Sequence, residues 1–296
     1  MNVPFFWVDV FATTPLAGNP LALVPDADDL STDTMRAIAR EFNQSETTFI
    51  VRPALPGADH RLRSFTPGGV EVLGAGHNAM GAWLWLAASG RLDGGRAEYL
   101  QQIGDDLLPV RVARDTDGGV VVTMQQSEPR FLTAVAAELR GPLTAVLGLG
   151  DDDLDAERTA QVVSTGAEHL LVPLRDRVAI DAAQPQTAGL RALLADVGAE
   201  GCYLYTTAVD PASGIDAYAR FFNPTVGIAE DPATGTAAGP LAALLVRDGL
   251  ARQGAPITVE QGTALGRPSR IGLQVDGEVV TISGTGIIVA EGVLRL

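Results

Sequence analysis

The chain runs to 296 residues, enough for two hydrophobic cores, and 46% of them are apolar against 19% charged, the balance of a packed globular protein and not of a disordered one. A formal net charge of −15 points away from nucleic acid and from an anionic membrane, both of which call for a basic surface, so an anionic ligand would have to be drawn in by local dipoles. One cysteine, Cys202, cannot form an internal disulfide, and histidines at 60, 77 and 169 stand at no metal-ligand spacing, which makes a cytoplasmic, metal-free protein the expectation.

Residues 1–10 hold Pro4 and Asp9 and no basic stretch, so no signal peptide is expected. Apolar runs are broken by Gly, Pro or charge well short of the ~18 residues of a membrane span. Residues 5–11 read as a strand, 15–20 as a turn and 21–24 as a second strand. Met35, Ile38, Ala39 and Phe42 fall at i, i+3, i+4 and i+7 of an amphipathic helix over 31–42. Strands are expected over 47–51 and 61–65, which puts Glu46 at a helix-to-strand junction, and another near 70–73. A helix over 78–89, closed by Gly90, precedes strands at 97–103, 109–114 and 120–125, the last two joined by a turn at Gly118 and Gly119. Residues 131–150 are expected to be helical in part, with Asp151 to Asp153 as a solvated loop.

From Gln161 the pattern restarts: strands over 162–163 and 170–173, a helix over 187–197, and strands over 201–206 and 217–222. Two short segments carry the repeat most plainly. Arg63-Ser64-Phe65-Thr66-Pro67 leads through Glu71 to Gly76-His77, and Arg220-Phe221-Phe222-Asn223-Pro224 leads through Glu230 and Asp231 to Gly235-Thr236. Each Gly opens a stretch of helical length, so two related halves each present a helix N-terminus, with its unpaired N–H groups and positive dipole end. Closing strands fill 256–296, the last of them expected to pair back into the first half. The division expected is 1–115, completed by about 283–296, and 116–282.

Most of the chemistry-bearing residues are ambiguous taken singly. Gly74-Ala75-Gly76 with Gly81 is neither a dinucleotide fingerprint nor a P-loop. The segment Glu230-Asp231-Pro232-Ala233-Thr234-Gly235-Thr236 suits plain N-capping as well as a donor cluster for an anion, and spacing alone leaves both open. Glu46 on its own reads more readily as a solvated junction residue, and His77 as a satisfied buried histidine. His60, His169 and Cys202 read as core or structural residues.

Taken together, Val8-Asp9-Val10-Phe11 through Gly18-Asn19-Pro20-Leu21-Ala22, Asn43-Gln44-Ser45-Glu46-Thr47-Thr48-Phe49, Glu71 through Gly76-His77, Ser164-Thr165-Gly166 and Glu230 through Pro240 resemble the PhzF-like isomerase family of phenazine biosynthesis. The resemblance covers nearly the whole chain. It implies an α+β fold like that of diaminopimelate epimerase: two pseudo-symmetric lobes, each a barrel-like sheet around a central helix, with the active site between them. It further implies Glu46 as general acid/base, His77 and Asp231 as its polar partners, and Gly76, Asn78, Gly235, Thr236, Asn19 and Ser164 as substrate-binding positions. No cofactor is implied; the partner is a small-molecule carboxylate, and the assembly a homodimer. With His77 and Thr236 at the two turns, the cysteine pair that serves epimerases of this fold is missing. The chain departs from the family at Leu73, Gly74 and Asn78, where Pro-Phe before Ala-Gly-His and Pro after it are usual.

The activity implied is a cofactor-free proton shift in a small unsaturated cyclic amino acid, of the trans-2,3-dihydro-3-hydroxyanthranilate isomerase type. The altered wall near the first helix motivates a nearby alternative, another ring substrate such as a 4-alkylproline-pathway diene. A noncatalytic small-acid-binding or partner protein is the alternative of another class, and it would have no need of Glu46, His77 and Asp231 together.

Overall fold

The computed structural model describes all 296 residues and divides them into two compact units, residues 1–125 with 283–296 and residues 126–282. In the first unit, β1 (Asn2–Val10) and β2 (Asn19–Val24) form an antiparallel pair. Helix α1 (Thr32–Phe42), capped by the Ser31 hydroxyl on Thr34 N–H, carries the chain over to β3 (Thr47–Val51), parallel to β2. Then β4 (His60–Phe65) runs antiparallel to β3, and the short β5 (Glu71–Val72) returns against β4. Helix α2 (His77–Ala88) leads to β6 (Glu98–Ile103), parallel to β4, followed by β7 (Asp106–Arg114) and β8 (Val120–Gln125) as an antiparallel meander.

Helix α2 is the core of this unit. Every residue from His77 to Leu86 is buried, as expected of a helix apolar all round with sheet on several sides; β1, β2, β3, β4 and β8 all pack on it. Gly81 permits the close approach, since a Cβ there would come within 2.5 Å of Leu21 Cδ2 and 2.9 Å of Val10 Cγ2. Trp83, fully buried, satisfies its indole N–H with Gln101 Oε1 at 2.9 Å.

The second unit repeats the scheme. It begins with β9 (Arg130–Ala134), a short helix α3 (Arg140–Leu147), and the antiparallel pair β10 (Gln161–Ser164) and β11 (Glu168–Pro173). Helices α4 (Arg177–Ala182) and α5 (Thr187–Val197) cross to β12 (Gly201–Thr206), parallel to β11. Next come β13 (Ala217–Asn223), antiparallel to β12, and the short β14 (Ile228–Asp231) against β13. Buried helix α6 (Gly235–Arg247) leads to β15 (Pro256–Gln261), parallel to β13, with β16 (Ser269–Asp276) antiparallel beside it and β17 (Val279–Gly284) next along the chain. The chain then returns to the first unit as β18 (Gly286–Arg295), antiparallel to β1. Pair by pair, β1 to β7 and β10 to β16 share the same sequence of antiparallel, parallel, antiparallel, antiparallel, parallel and antiparallel partners. The duplication read from two short segments is therefore complete in topology.

Two expectations shift. The unit boundary lies at 125/126, not 115/116: Val122 and Met124 of β8 are buried, and the strand is registered on β7 from Val110↔Met124 to Arg114↔Val120, so the hairpin stays with its partner. The helical part expected within 131–150 is α3, preceded by the strand β9 paired to β10. Asp151–Asp153 is a 3₁₀ turn, with Thr144 donating to Asp151 Oδ1 (3.1 Å), Gly150 N–H to Asp153 Oδ2 (2.9 Å), and Arg175 paired to Asp153 (3.2 Å). No helix is long and apolar enough to cross a membrane.

Candidate active site

Asn43 ends α1 in the left-handed conformation (φ 51°), which Asn tolerates better than most residues, and so turns the chain sharply into β3. Glu46 stands at that turn, one residue before β3, and His77 is the first residue of α2. Glu46 Oε2 lies 3.2 Å from His77 Nε2, with the Glu46 side chain 18% exposed and that of His77 10%. The oxygen is sealed from solvent and the contact is not aligned as a hydrogen bond, a looseness common in acid/base centres before substrate tightens them. Ser45 Oγ is 3.4 Å from the same imidazole nitrogen. Burial pushes the Glu46 carboxyl up to about 7, against a partial pull downward from a Ser45 hydrogen bond. A carboxyl poised there can both take and return a proton at neutral pH.

A closed polar network fixes the spacing of these two groups. Thr48, two residues beyond Glu46, donates to the Asn78 carbonyl (3.3 Å) and shares a hydrogen bond with Ser64 Oγ (2.8 Å), and Asn78 Nδ2 donates to Ser64 Oγ (3.1 Å). Asn78 also closes the turn ahead of His77: Nδ2 donates to Gly74 O (3.1 Å) and Oδ1 accepts from Gly76 N–H (2.7 Å). Its carboxamide is thus spent inside the protein. Through these bonds Asn78 braces the strand bearing Glu46 against the helix bearing His77. The Gly76 N–H is taken by that brace too.

In the second unit, Asp231 ends β14 and is buried, and its Oδ2 accepts from the Thr234 hydroxyl. Gln261, fully buried on β15, holds this pair. Its Nε2 donates to Asp231 O (2.7 Å) and Thr234 Oγ1 (3.1 Å), and its Oε1 accepts from Thr234 N–H (3.2 Å) and Tyr203 OH (3.0 Å). Every hydrogen-bonding site of the Gln261 carboxamide is used. Gly235 and Thr236 are the first two residues of α6, where backbone N–H groups lack helical partners. Thr236 Oγ1 lies 3.2 Å from His169 Nε2, a neighbour that sequence reasoning leaves in a structural role.

The remaining expected positions lie on the strands. Asn19 is the buried first residue of β2, opposite Val10. Ser164 is the buried last residue of β10, and its Oγ accepts from Gly166 N–H (3.2 Å) and from Arg130 (3.4 Å). Cys202 is sealed in β12, and burial pushes its thiol up to about 12, far from a nucleophile. No three His, Cys, Asp or Glu side chains gather as a metal-binding group.

A family model described as phenazine biosynthesis-like protein matches residues 8–292. The trans-2,3-dihydro-3-hydroxyanthranilate isomerase of Pseudomonas aeruginosa is 35% identical over 292 residues, covering 96% of this chain and 96% of its own. A solved phenazine biosynthesis protein of the PhzF family from Bacillus anthracis matches with a TM-score of 0.91 at 26% identity, covering 100% of both chains. A hydroxyproline epimerase from Agrobacterium vitis, with bound trans-4-hydroxy-L-proline, matches in fold alone, with a TM-score of 0.65 at 14% identity over 99% of this chain and 91% of that one. The expected α+β, epimerase-like fold is the one found.

Proposed function

Since the chain belongs to the phenazine biosynthesis-like (PhzF) family and is an isomerase of that type, we propose that it moves a proton, without a cofactor, within a small unsaturated cyclic amino acid. The first compound to try is the one named for the Pseudomonas relative, trans-2,3-dihydro-3-hydroxyanthranilate. The observation that carries this reading is the buried Glu46 carboxyl, raised to about 7 and set 3.2 Å from His77 Nε2. Glu46 as carboxylate takes a proton from an activated allylic carbon. The electron pair left behind shifts along the conjugated system, and Glu46 returns a proton at its far end. No electron is gained or lost overall, and Glu46 ends in the state in which it began. His77 partners the carboxyl through the transfer. In the second unit, Gly235 and Thr236 at the N-terminus of α6 offer donors suited to a carboxylate, with Asp231 a polar side chain close by in sequence.

Acid/base assistance of this kind is worth ~10²–10⁴-fold. Proton NMR in deuterium oxide reads it directly. With trans-2,3-dihydro-3-hydroxyanthranilate, the wild type should convert substrate with deuterium entering at a defined carbon, and Glu46→Gln should slow this by that factor while still binding. Near-normal turnover by Glu46→Gln would overturn the assignment. A second reading, the same chemistry on a different ring, is favoured by Gly74: nothing lies within 4 Å of where its Cβ would stand, so the turn before His77 is open at this point. Exchange into another cyclic amino acid, with none into the first compound, would select it.

A further inference from the structure

His169 takes no part in the proton shift, yet its burial is built with care. The ring is 2% exposed and stands edge-on to Phe221, centroids 4.9 Å apart. Gly201, its register partner on β12, makes room for it: a Cβ there would fall 3.2 Å from His169 Nδ1 and 2.4 Å from the Phe221 ring. Within this enclosure Nδ1 has no hydrogen-bond partner, while Nε2 faces Thr236 Oγ1 at 3.2 Å.

Burial holds the His169 pKa down at about 4, so the ring is neutral at physiological pH and carries one proton. On Nδ1, that proton would make a buried N–H with nothing to receive it, which folded proteins avoid more strictly than an under-used acceptor. On Nε2, it points at Thr236 and leaves only a lone pair unmatched. Thr236 Oγ1 then accepts from His169, and the proton of its own hydroxyl is directed elsewhere. Ser269 Oγ stands 2.9 Å from both the Pro232 carbonyl, four residues before Thr236, and the Gln261 carbonyl.

We propose that His169 is a positioning residue: by donating from Nε2, it makes the Thr236 hydroxyl a committed hydrogen-bond donor to a carboxylate at the start of α6. This role rests on the proposed carboxylate site at α6 and adds to it the residue that sets the direction of the bond. Gln261, itself held by Tyr203 OH, bonds Thr234 in the same turn, while the Thr236 hydroxyl is met by His169.

Two measurements test it. In the full chain labelled with ¹⁵N-histidine, long-range proton–nitrogen NMR should show His169 as a neutral Nε2–H ring throughout pH 5.5–8. An Nδ1–H ring, or a protonated one at pH 6, overturns the proposal, and no variant has to fold for that result. In binding, anthranilate serves as a stable carboxylate probe and methyl anthranilate as its uncharged control. His169→Phe should weaken anthranilate about ten-fold, the scale of one hydrogen bond to a charged group, and leave methyl anthranilate unchanged. His169→Gln, whose Nε2 can donate from a similar place, should restore most of the affinity. Equal loss for both probes, no loss for either, or a wild type that binds anthranilate no better than its ester overturns it. The outcome is separable from that of the acid/base reading: near-normal turnover by Glu46→Gln would sink the latter and leave the His169 tautomer and the probe contrast untouched.

Discussion

In the first unit Arg63 grips Glu71 with two parallel bonds of 2.7 and 2.8 Å and lies over the Phe65 ring at 5.1 Å. In the second, Arg220 grips Glu230 with two of 2.8 Å and lies over Phe222 at 4.9 Å. The fork is the same device, holding a short return strand against its neighbour ahead of a buried helix. The turns beyond the two forks differ. The first presents His77 to Glu46, is braced by Asn78, and keeps a carboxyl near neutrality. The second presents hydroxyls and backbone N–H groups, braced by Gln261 and His169. Residues paired by the duplication have diverged in kind: by register, the place of Glu46 is taken in the second unit by Gly201, which makes room for His169. One scaffold thus yields a buried carboxyl beside a histidine in the first unit and an array of donors in the second.

The two forks offer the largest contrast in stability. Arg220 and Glu230 are 10% and 12% exposed, whereas Arg63 and Glu71 are 18% and 30%. Removing one partner of a buried pair costs about 3–5 kcal/mol, and a wetter pair loses much less. Arg220 also donates to the carbonyls of Ile180 (2.9 Å) and Ala183 (3.0 Å), which Arg220→Ala would leave bare. Denaturant unfolding should show Arg220→Ala losing roughly 4 kcal/mol and Arg63→Ala roughly 1–2 kcal/mol; equal losses would mean that burial does not set the difference.

Glu46→Gln gives the next effect, of opposite sign. The folded-state pKa of Glu46 is raised from 4.5 to about 7, so the folded chain holds a proton that the unfolded chain has lost. Stability therefore falls as pH rises from 4.5 to about 7 and is level above that. Glu46→Gln should be more stable than wild type by about 3 kcal/mol at pH 8, with the gain gone by pH 4. A gain independent of pH would break the link between burial and the shifted carboxyl.

The two braces come next. Asn78→Ala and Gln261→Ala should each cost about 1–3 kcal/mol, as buried partners lose their bonds. Asn78→Ala should also lower kcat, because the spacing of Glu46 and His77 depends on it, whereas Gln261→Ala should act mainly on KM. Exchange of these two signatures would reverse the division of labour. The smallest effect belongs to Cys202→Ala: about 1 kcal/mol of stability, with activity within two-fold.

The repeat is legible in sequence because its markers are local. Arg, Phe, Pro and an acidic residue fall within a dozen positions, and α5, β12 and β8 take the bounds their patterns predict. The Glu46–His77 pairing is reached through family resemblance; as a lone junction carboxylate Glu46 carries no signal of burial. The His169–Thr236 contact joins residues 67 apart, and a single histidine in an apolar strand looks like core. Gly201 beside it is a faint clue, since a glycine in a strand interior often marks the close approach of a neighbour. The bonds by which the Asn78 carboxamide closes its own turn are likewise unmarked in the sequence.

The central claim is that the first turn holds a carboxyl poised at neutrality. With ¹³C-labelled glutamate and Glu46→Gln to assign the signal, an NMR titration of the wild type reads that carboxyl without any substrate. The account predicts a midpoint at about 7; a midpoint near the ordinary 4.5 would contradict it.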